Sequence, residues 1–286
     1  MKKNILQLIT RYIPRKLSAS FLLCIIGLSL KAAVPTDTVS PCHHDFAAKQ
    51  LIVPGTLIAT GAMGFLEPVK NWEVGLRNDV REHRTDKKTT VDNYIQYVPT
   101  VLSVVGDWVG AEAKHNFLDR ILLVGTSCLI TTTLVNSIKY TVASERPGVY
   151  DEIIVQNNPK GRTPQNAPKA FNSFPSGHSA TAFVGAELVR LEYGEDSPWL
   201  AAGAYAIAAS TSAMRIWNEK HWFTDVLAGA GFGILSARIG WWLLPWVSRV
   251  ADNTLRLDAT HPKTKIAVNP MTDGHQVELA LSISFQ

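Results

Sequence analysis

Cysteine is scarce in this chain, with three among 286 residues, and metal-ligating residues form only one small group, Cys42-His43-His44-Asp45. This group is too crowded for a zinc site and has no second cluster at zinc spacing, so it is interpreted as a polar linker. Cys42 and Cys128 lie far apart in sequence, and Cys128 lies inside an apolar stretch. The sequence therefore predicts neither a disulfide nor a structural metal.

A strong excess of charge of either sign is also missing. Lys and Arg number 28 and Asp and Glu number 24, so the formal net charge is +4 and is dispersed along the chain. So mild a balance argues against nucleic acid as a partner. No internal repeat is apparent. With 46% hydrophobic content, the chain is expected to form one large domain, with or without appendages.

Apolar stretches of helical length are what the sequence has in quantity. They predict an all-α fold, a bundle of about six helices with the functional site at helix ends and in the connecting loops. The stretches are Leu51–Leu66, Ile121–Ile138, Ala180–Val189, Pro198–Ala213 and Val226–Val247.

The N-terminus has the layout of an export signal. Basic residues between Lys2 and Lys16 precede the apolar run Phe21–Leu30 and the small residues Ala32 and Ala33. This order is typical of a secretory signal, although the basic region is long for one. Residues 1–34 are therefore predicted to be a cleaved signal peptide or a retained anchor, followed by a linker over residues 35–50. In both cases the rest of the chain is exported.

His221 and Asp225 stand four residues apart near the last apolar stretch. On a helix they share a face, so Asp225 is expected to accept the Nδ1–H of His221. That contact would fix the tautomer and leave Nε2 free to attack phosphorus. An isolated pair of this kind more often only satisfies a buried histidine.

A second segment, Pro175-Ser176-Gly177-His178, precedes a helical stretch that begins at Ser179. The unpaired N–H groups of a helix N-terminus bind anions, so Ser176 and Gly177 are predicted to donate to a phosphate, with a further bond from the Ser176 hydroxyl. His178 would then be placed to protonate a leaving oxygen. Proline, serine and glycine are also ordinary turn residues.

A third group of residues supplies fixed positive charge. Lys139 ends an apolar run, Arg146 precedes Pro147, and Arg215 precedes the His221 segment. Pro147 is expected to stop the preceding helix and to restrain the backbone of Arg146. Each arginine can grip phosphate oxygens in a fork, while Lys139 acts as a point charge. Alone, such cations are more often solvated or snorkelling side chains.

Together the three segments resemble the signature of the phosphatidic acid phosphatase type 2 superfamily, which includes bacterial acid phosphatases and vanadium haloperoxidases. The resemblance covers roughly Lys139–Asp225. It implies that His221 is the nucleophile, Asp225 its partner and His178 the general acid. It also implies a phosphate pocket and a mechanism without metal or cofactor. Met214 stands where the family usually has serine. The implied pocket residues are Lys139, Arg146, Ser176, Gly177 and Arg215.

The resemblance implies a phosphatase that acts through a phosphohistidine, with a helical domain over residues 51–247 and a tail over residues 248–286. An exported, apolar enzyme suggests a phospholipid or phosphorylated glycolipid substrate. Lipid A, undecaprenyl diphosphate and phosphatidylglycerol phosphate are the candidates. Lipid A is favoured because the loop Gly148–Ser173, with Lys160, Arg162 and Lys169, is placed to contact a second phosphate. A solvated basic loop is the alternative.

Three other functions stay open. One is a soluble periplasmic acid phosphatase of broad specificity, the second a vanadium haloperoxidase-like enzyme, and the third a lipid-binding scaffold without activity. Retention of both histidines argues against the scaffold, because a binding module needs no nucleophile.

A membrane-bound enzyme is favoured over a soluble periplasmic one, because Ile121–Ile138 and Val226–Val247 are near spanning length. If the N-terminal run is retained, alternating spans place the three motifs outside the inner membrane, facing the periplasm. The charge-rich stretch Glu67–Lys114 then lies inside, as the positive-inside rule prefers, and Tyr94–Val109 does not span. The tail Val277–Phe285 alternates apolar and polar residues, which predicts a β-strand that pairs locally or packs on the domain.

Overall fold

The structure is a computed structural model that describes the backbone of residues 47–84, 88–259, 264–272 and 277–285, and the side chains of residues 47–84 and 88–253. The predicted signal or anchor, most of the predicted linker and the Cys42-His43-His44-Asp45 group lie outside these residues. The described part is mainly helical, as predicted. Its helices are α1 Ile52–Ala62, α2 Glu67–His83, α3 Asp92–Ile95, α4 Val98–Val105, α5 Phe117–Val142, α6 Gly177–Tyr193, α7 Pro198–Trp217 and α8 Phe223–Ala259.

Five of these helices coincide with the predicted apolar stretches, namely α1, α5, α6, α7 and α8. The other three form within Glu67–Val109, where no apolar stretch predicts a helix. The longest of them, α2, is rich in charge and has only Glu73 and Arg77 as buried residues. Such a helix does not register as an apolar run, so the sequence prediction missed it.

One unit of the structure comprises His43–Ser248, and α6 is its central helix. Ala182, Ala186 and Val189 of α6 pack in a cluster with α7, while Val184 and Leu188 pack in a second cluster with α5 and α8. A helix that is buried on nearly all sides belongs in a core rather than on a surface. Because α6 begins at the second motif, this packing fixes that motif relative to the neighbouring helices.

Two glycines allow backbones to approach closely around α6. A Cβ atom at Gly229 of α8 would collide with the backbone oxygen of Ser176, and one at Gly185 of α6 would collide with the backbone of Thr100 in α4. Glycine is the residue that permits such an approach. The first contact brings the start of α8 directly against the turn that precedes α6.

The bundle has two ends, which we call the site end and the far end. The site end contains the last turn of α5, the first turn of α6, the last turn of α7 and the start of α8. The far end contains the opposite ends of these helices, where Asp119 of α5 accepts a hydrogen bond from Ser248 of α8 at 2.6 Å.

The chain turns by 88° between α1 and α2, at the extended backbone of Leu66. This turn lies at the site end, because Gly64 packs directly on Thr224 and the rings of Phe65 and Phe174 are 5.0 Å apart. The prediction that Glu67 and the residues after it lie on the side opposite the motifs is therefore wrong. The bend, which hydropathy alone does not indicate, returns the charged segment to the site.

Helix α2 lies across the site end and is held there by charged side chains. Glu73 accepts hydrogen bonds from the backbone N and Oγ1 of Thr224, at 2.8 and 2.7 Å. Further along the helix, Arg81 forms an ion pair with Glu219 at 2.6 Å. The chain then runs back along α6 through α3 and α4, and reaches the far end where Asp107 pairs with Arg120 at 2.7 Å.

Two helices of the described residues are long and apolar enough to cross a membrane. They cover Phe117–Val149 and Phe223–Asn253, and the bent pair Ala48–Phe65 and Glu67–His83 would add a third if it formed one span. The first of these helices is mostly exposed, with 22% of its most apolar window buried, whereas 61% is buried in the second. An exposed apolar helix of this length is typical of a lipid-facing surface.

The second unit contains Arg249–Gln286, and its described part includes the end of α8 and two strands. The strands β1 Thr264–Thr272 and β2 Val277–Phe285 pair antiparallel, from Thr264 opposite Phe285 to Thr272 opposite Val277. The predicted C-terminal strand is therefore confirmed, and it pairs locally.

Candidate active site

The three predicted segments meet at the site end. Ser173, just before the second motif, donates from Oγ to Asp225 Oδ2 at 2.5 Å, and Ser176 N donates to the backbone oxygen of Asp225 at 2.9 Å. Lys139 Nζ donates to the backbone oxygen of Ser173 at 3.3 Å. The first, second and third motifs are thus joined by direct hydrogen bonds.

His221 lies at the centre of this group and is only 2% exposed. It does not lie on a helix as predicted, because α8 begins at Phe223. Glu219 adopts the left-handed conformation, with φ of 55°, and the chain therefore reverses between the end of α7 and the start of α8. His221 sits in this reversal, two residues before the helix.

The predicted contact between His221 and Asp225 is present as proximity rather than as a hydrogen bond. His221 Nδ1 is 3.6 Å from Asp225 Oδ2 and has no hydrogen-bond partner among the described residues. Asp225 Oδ2 instead accepts from the Ser173 hydroxyl and from the backbone N of Trp222, at 2.5 and 2.8 Å. The bond to Trp222 caps the first turn of α8. Asp225 therefore both stabilises the start of this helix and faces the nucleophile candidate.

Burial and surrounding positive charge lower the pKa of His221 well below its ordinary value of 6.5. Burial is the larger cause, and Lys139, Arg146 and Arg215 act in the same direction. Protonation of the imidazole would place another cation among three, without solvent to stabilise it. The ring is therefore neutral at neutral pH, which is the state that a nucleophilic histidine needs.

Lys139 and Arg146 are both held by Asn172, a residue that the sequence analysis missed. Arg146 donates from Nε and Nη2 to Asn172 Oδ1, at 3.0 and 2.9 Å, while Lys139 Nζ donates to the Asn172 backbone oxygen at 2.7 Å. Helix α5 ends at Val142, and Ala143 follows in the left-handed conformation with φ of 48°. The helix therefore ends five residues before Pro147, and the prediction that this proline stops it is wrong.

Arg215, the third cation, is buried and forms an ion pair with Asp92 of α3. Within the part of the chain that the structure describes, its Nε is buried without a hydrogen-bond partner. Asp92 is itself 1% exposed, and its other oxygen lies 3.4 Å from Asn218 Nδ2. No sequence pattern indicated Asp92, because it lies outside the three motifs in a charge-rich stretch.

The Ser176–Gly177 turn forms the N-terminus of α6, as predicted, with Ser176 as the N-cap. Its hydroxyl accepts from Ser179 N and Oγ, at 3.4 and 2.9 Å. Because Ser176 N donates to the backbone oxygen of Asp225, one of the donors predicted to face a phosphate is used within the protein, while the buried Ser176 hydroxyl accepts two bonds. Gly177 lies beside Lys139, whose Cε is 3.9 Å from the position of an added Cβ.

His178 occupies the first turn of α6, and its Nε2 lies 3.0 Å from Asn93 Oδ1. Burial, followed by the charge of Arg215, lowers the pKa of His178 to about 4. A bound phosphate would add negative charge among the same cations and act in the opposite direction. In the structure as it stands, His178 is a neutral ring held by an amide oxygen.

Comparison with known proteins relates part of the chain to one family. A sequence profile of the PAP2 superfamily matches residues 120–249. A lipid A 1-phosphatase of Porphyromonas gingivalis is 33% identical over 162 residues, which are 56% of this chain and 32% of that protein. The chain therefore matches about a third of the length of this relative.

Two crystal structures also resemble the chain. Aquifex aeolicus LpxE is 19% identical, with a TM-score of 0.42 over 58% of this chain and 93% of the other. A transmembrane PAP2-type phosphatidylglycerolphosphate phosphatase from Bacillus subtilis is 18% identical, with a TM-score of 0.46 over 66% and 94%. The segment that the PAP2 profile matches contains all eight predicted site residues.

Proposed function

We propose that this protein is a phosphatase that hydrolyses a lipid phosphate through a covalent phosphohistidine at His221. The observation that carries the proposal is a neutral, buried imidazole beside three fixed cations and a second histidine. A buried group of cations with few carboxylates is complementary to an anion, and a neutral imidazole among them is a nucleophile rather than a further ligand.

The phosphate binds among Lys139, Arg146 and Arg215, with Gly177 at the N-terminus of α6 contributing backbone donors. Asn172 and Asp92 accept hydrogen bonds from the cations and hold them in place. When the phosphate binds, some N–H groups of the cations donate to its oxygens instead. Positive groups fixed before substrate arrives stabilise the charge on the equatorial oxygens without reorganisation in the transition state.

His221 attacks phosphorus through Nε2, because its Nδ1 faces Asp225. The N–P bond forms as the P–O bond to the lipid breaks, and His178 gives a proton to the departing oxygen. A water molecule then attacks the phosphohistidine, His178 takes the proton from that water, and inorganic phosphate leaves. Asp225 stabilises the positive charge that develops on His221 while phosphorus is attached.

The enzyme lies in a membrane. The long apolar helix α5 is largely exposed, and exposed aromatic side chains concentrate near both ends of the bundle, as in the aromatic belts of membrane proteins. At the far end these residues are Trp108, Phe117, Trp199 and Trp246, and at the site end they are Trp72, Tyr94, Tyr140 and Trp217. The site then lies near one membrane–water boundary, where a phosphorylated lipid headgroup resides.

The substrate favoured among lipid phosphates is lipid A. A relative that is 33% identical over the matched region carries the name lipid A 1-phosphatase. The basic loop contributes less than the sequence suggested, because Lys160 and Arg162 both pair with Glu152, at 3.3 and 3.0 Å. Lys169, which is exposed, remains as the residue of that loop to contact a second phosphate.

The site end faces the periplasm. The positive-inside argument no longer bears on this orientation, because α2 and its arginines lie at the site end, so the orientation is tested directly. We expect a single cysteine at Lys160 to react in whole cells with a maleimide that cannot cross the membrane, and one at Glu195 to react only after lysis. The native cysteines are replaced by serine in both variants. The reverse pattern would contradict the orientation.

The function itself is tested by phosphate release from detergent-purified wild type and His221→Ala, with excess EDTA. The substrates are lipid A, undecaprenyl diphosphate, phosphatidylglycerol phosphate, phosphatidic acid and p-nitrophenyl phosphate. We expect release from at least one lipid by the wild type and none by the variant. Release that persists in a folded His221→Ala protein would exclude the proposed mechanism, and no release by folded wild type would exclude the function.

A further inference from the structure

Two adjacent residues outside the PAP2-matched segment contact two different residues of the site. Asp92 forms the ion pair with Arg215, and Asn93 Oδ1 lies 3.0 Å from His178 Nε2. Both belong to the short helix α3, which precedes residue 120, where the match begins. The site therefore has a fourth contributing segment that none of the three motifs contains.

This segment is fixed against the bundle rather than loosely apposed to it. Thr89 N donates to Asn218 Oδ1 at 3.1 Å, and Asn218 Nδ2 donates back to the Thr89 oxygen at 2.9 Å. The Gln96 side chain, which is buried, donates to the backbone oxygen of Asn93 at 2.9 Å. Contacts on both sides of Asn93 thus hold its amide at one place beside the second motif.

We propose that Asn93 is a positioning residue for His178, an inference that rests on the phosphatase function proposed above. Its Oδ1 accepts the Nε2–H of the neutral ring and so keeps the proton on Nε2. Nδ1 is then the nitrogen that takes a proton and delivers it to the leaving oxygen. Without this contact the ring is free to change tautomer and to rotate away from the phosphate.

The charge of the residue that contacts His178 Nε2 also affects how readily His178 releases its proton. His178 is faced by Asp92 from α3, by Arg215 from α7, by Lys139 and Arg146 from α5 and the loop after it, and by His221 from the turn before α8. Cations outnumber the carboxylate in this set. An amide adds no charge, so it orients the ring without retaining the proton that His178 must release to the leaving oxygen.

The test compares Asn93→Asp and Asn93→Leu with Asn71→Asp, which adds the same charge at an exposed position of α2. The readouts are kcat/KM against pH for the lipid substrate and for p-nitrophenyl phosphate. A carboxylate beside Nε2 raises the pKa of His178, so we expect Asn93→Asp to move the alkaline limb of the lipid profile up by about one pH unit.

Asn93→Leu is expected to lower kcat on the lipid about tenfold more than kcat on the nitrophenyl ester, whose leaving group needs little protonation. Asn71→Asp should match the wild type throughout. Active wild type with an unshifted Asn93→Asp profile, or equal losses on both substrates in Asn93→Leu, would overturn this inference alone. Wild type that releases no phosphate from any substrate would overturn both the proposed function and the inference.

Discussion

Both ends of the bundle contain buried charged side chains, but these side chains have different kinds of partners. At the far end, cations meet carboxylates of their own: Arg120 pairs with Asp107 at 2.7 Å and also donates to Tyr193 Oη at 2.6 Å. His115 contacts Glu192 through its backbone N and its Nδ1, at 2.6 and 2.8 Å. Each of these charged side chains has a charged or polar partner at the far end, and Arg120 Nε is the one buried nitrogen of this group without a hydrogen bond among the described residues.

At the site end the balance is shifted toward positive charge. Arg215 has a carboxylate partner, whereas Arg146 and Lys139 are held by neutral oxygens of Asn172. A neutral acceptor satisfies hydrogen bonds but leaves the charge uncompensated, so we expect a bound anion to stabilise the site end but not the far end. On the proposed function, the far-end charges support the fold, whereas the site-end cations bind the substrate.

The largest expected effect is a loss of kcat/KM, and it distinguishes two buried arginines, one at each end. Arg215→Gln should lower kcat/KM about 10³-fold, because it removes a fixed charge from the transition state. Arg120→Gln should instead lower the thermal midpoint and leave kcat/KM of the folded protein near the wild-type value. Phosphate release and thermal unfolding in detergent measure both. Equal activity losses in the two variants would remove the distinction between the ends.

A smaller effect is expected from Asn172→Ala, which keeps both cations but removes the side-chain acceptor that positions Arg146. We expect about a 10²-fold loss in kcat/KM, since a displaced clamp costs orientation rather than charge. Asn166→Ala, in the exposed loop, is the matched control and should retain full activity. If both variants behave alike, Asn172 does not position the cations.

The smallest effect concerns pH. The pKa of His221 is depressed, so the neutral nucleophile persists at pH values below 6.5 and is lost only when acid protonates it. Arg146→Gln removes one cause of that depression, which raises the pKa of His221. The acid limb of kcat/KM for p-nitrophenyl phosphate should therefore move up by about half a pH unit. A limb that stays in place or moves down would argue that another group controls it.

Much of the far end and the helical core could be predicted from the sequence, because long apolar runs report helices directly. Residues such as Lys139, Arg215 and His221 could be predicted because their spacing forms a recognisable pattern. Asp92, Asn93 and Asn172 could not, because each acts through a contact that depends on three-dimensional folding. The 88° bend at Leu66 could not be predicted either, since it changes the end of the bundle at which α2 lies without changing the hydropathy of the sequence.

The His221–Asp225 pair shows a finer limit of sequence reasoning. Spacing predicted proximity, which the 3.6 Å separation confirms, but placed both residues on a helix. Glu219, in the left-handed conformation, reverses the chain before α8 begins, so His221 does not lie on the helix. Sequence spacing therefore indicated which residues meet, while the backbone conformation decided how they meet.

Direct detection of the covalent intermediate tests the account most closely. His178→Ala protein would be mixed with p-nitrophenyl phosphate carrying a radiolabelled phosphoryl group, quenched in alkali and mapped by mass spectrometry. Because this variant lacks the base for the second step, we expect it to accumulate an acid-labile, alkali-stable label on His221, and we expect none in His178→Ala/His221→Ala. Turnover without any protein-bound label, or a label that survives loss of His221, would contradict the phosphohistidine mechanism.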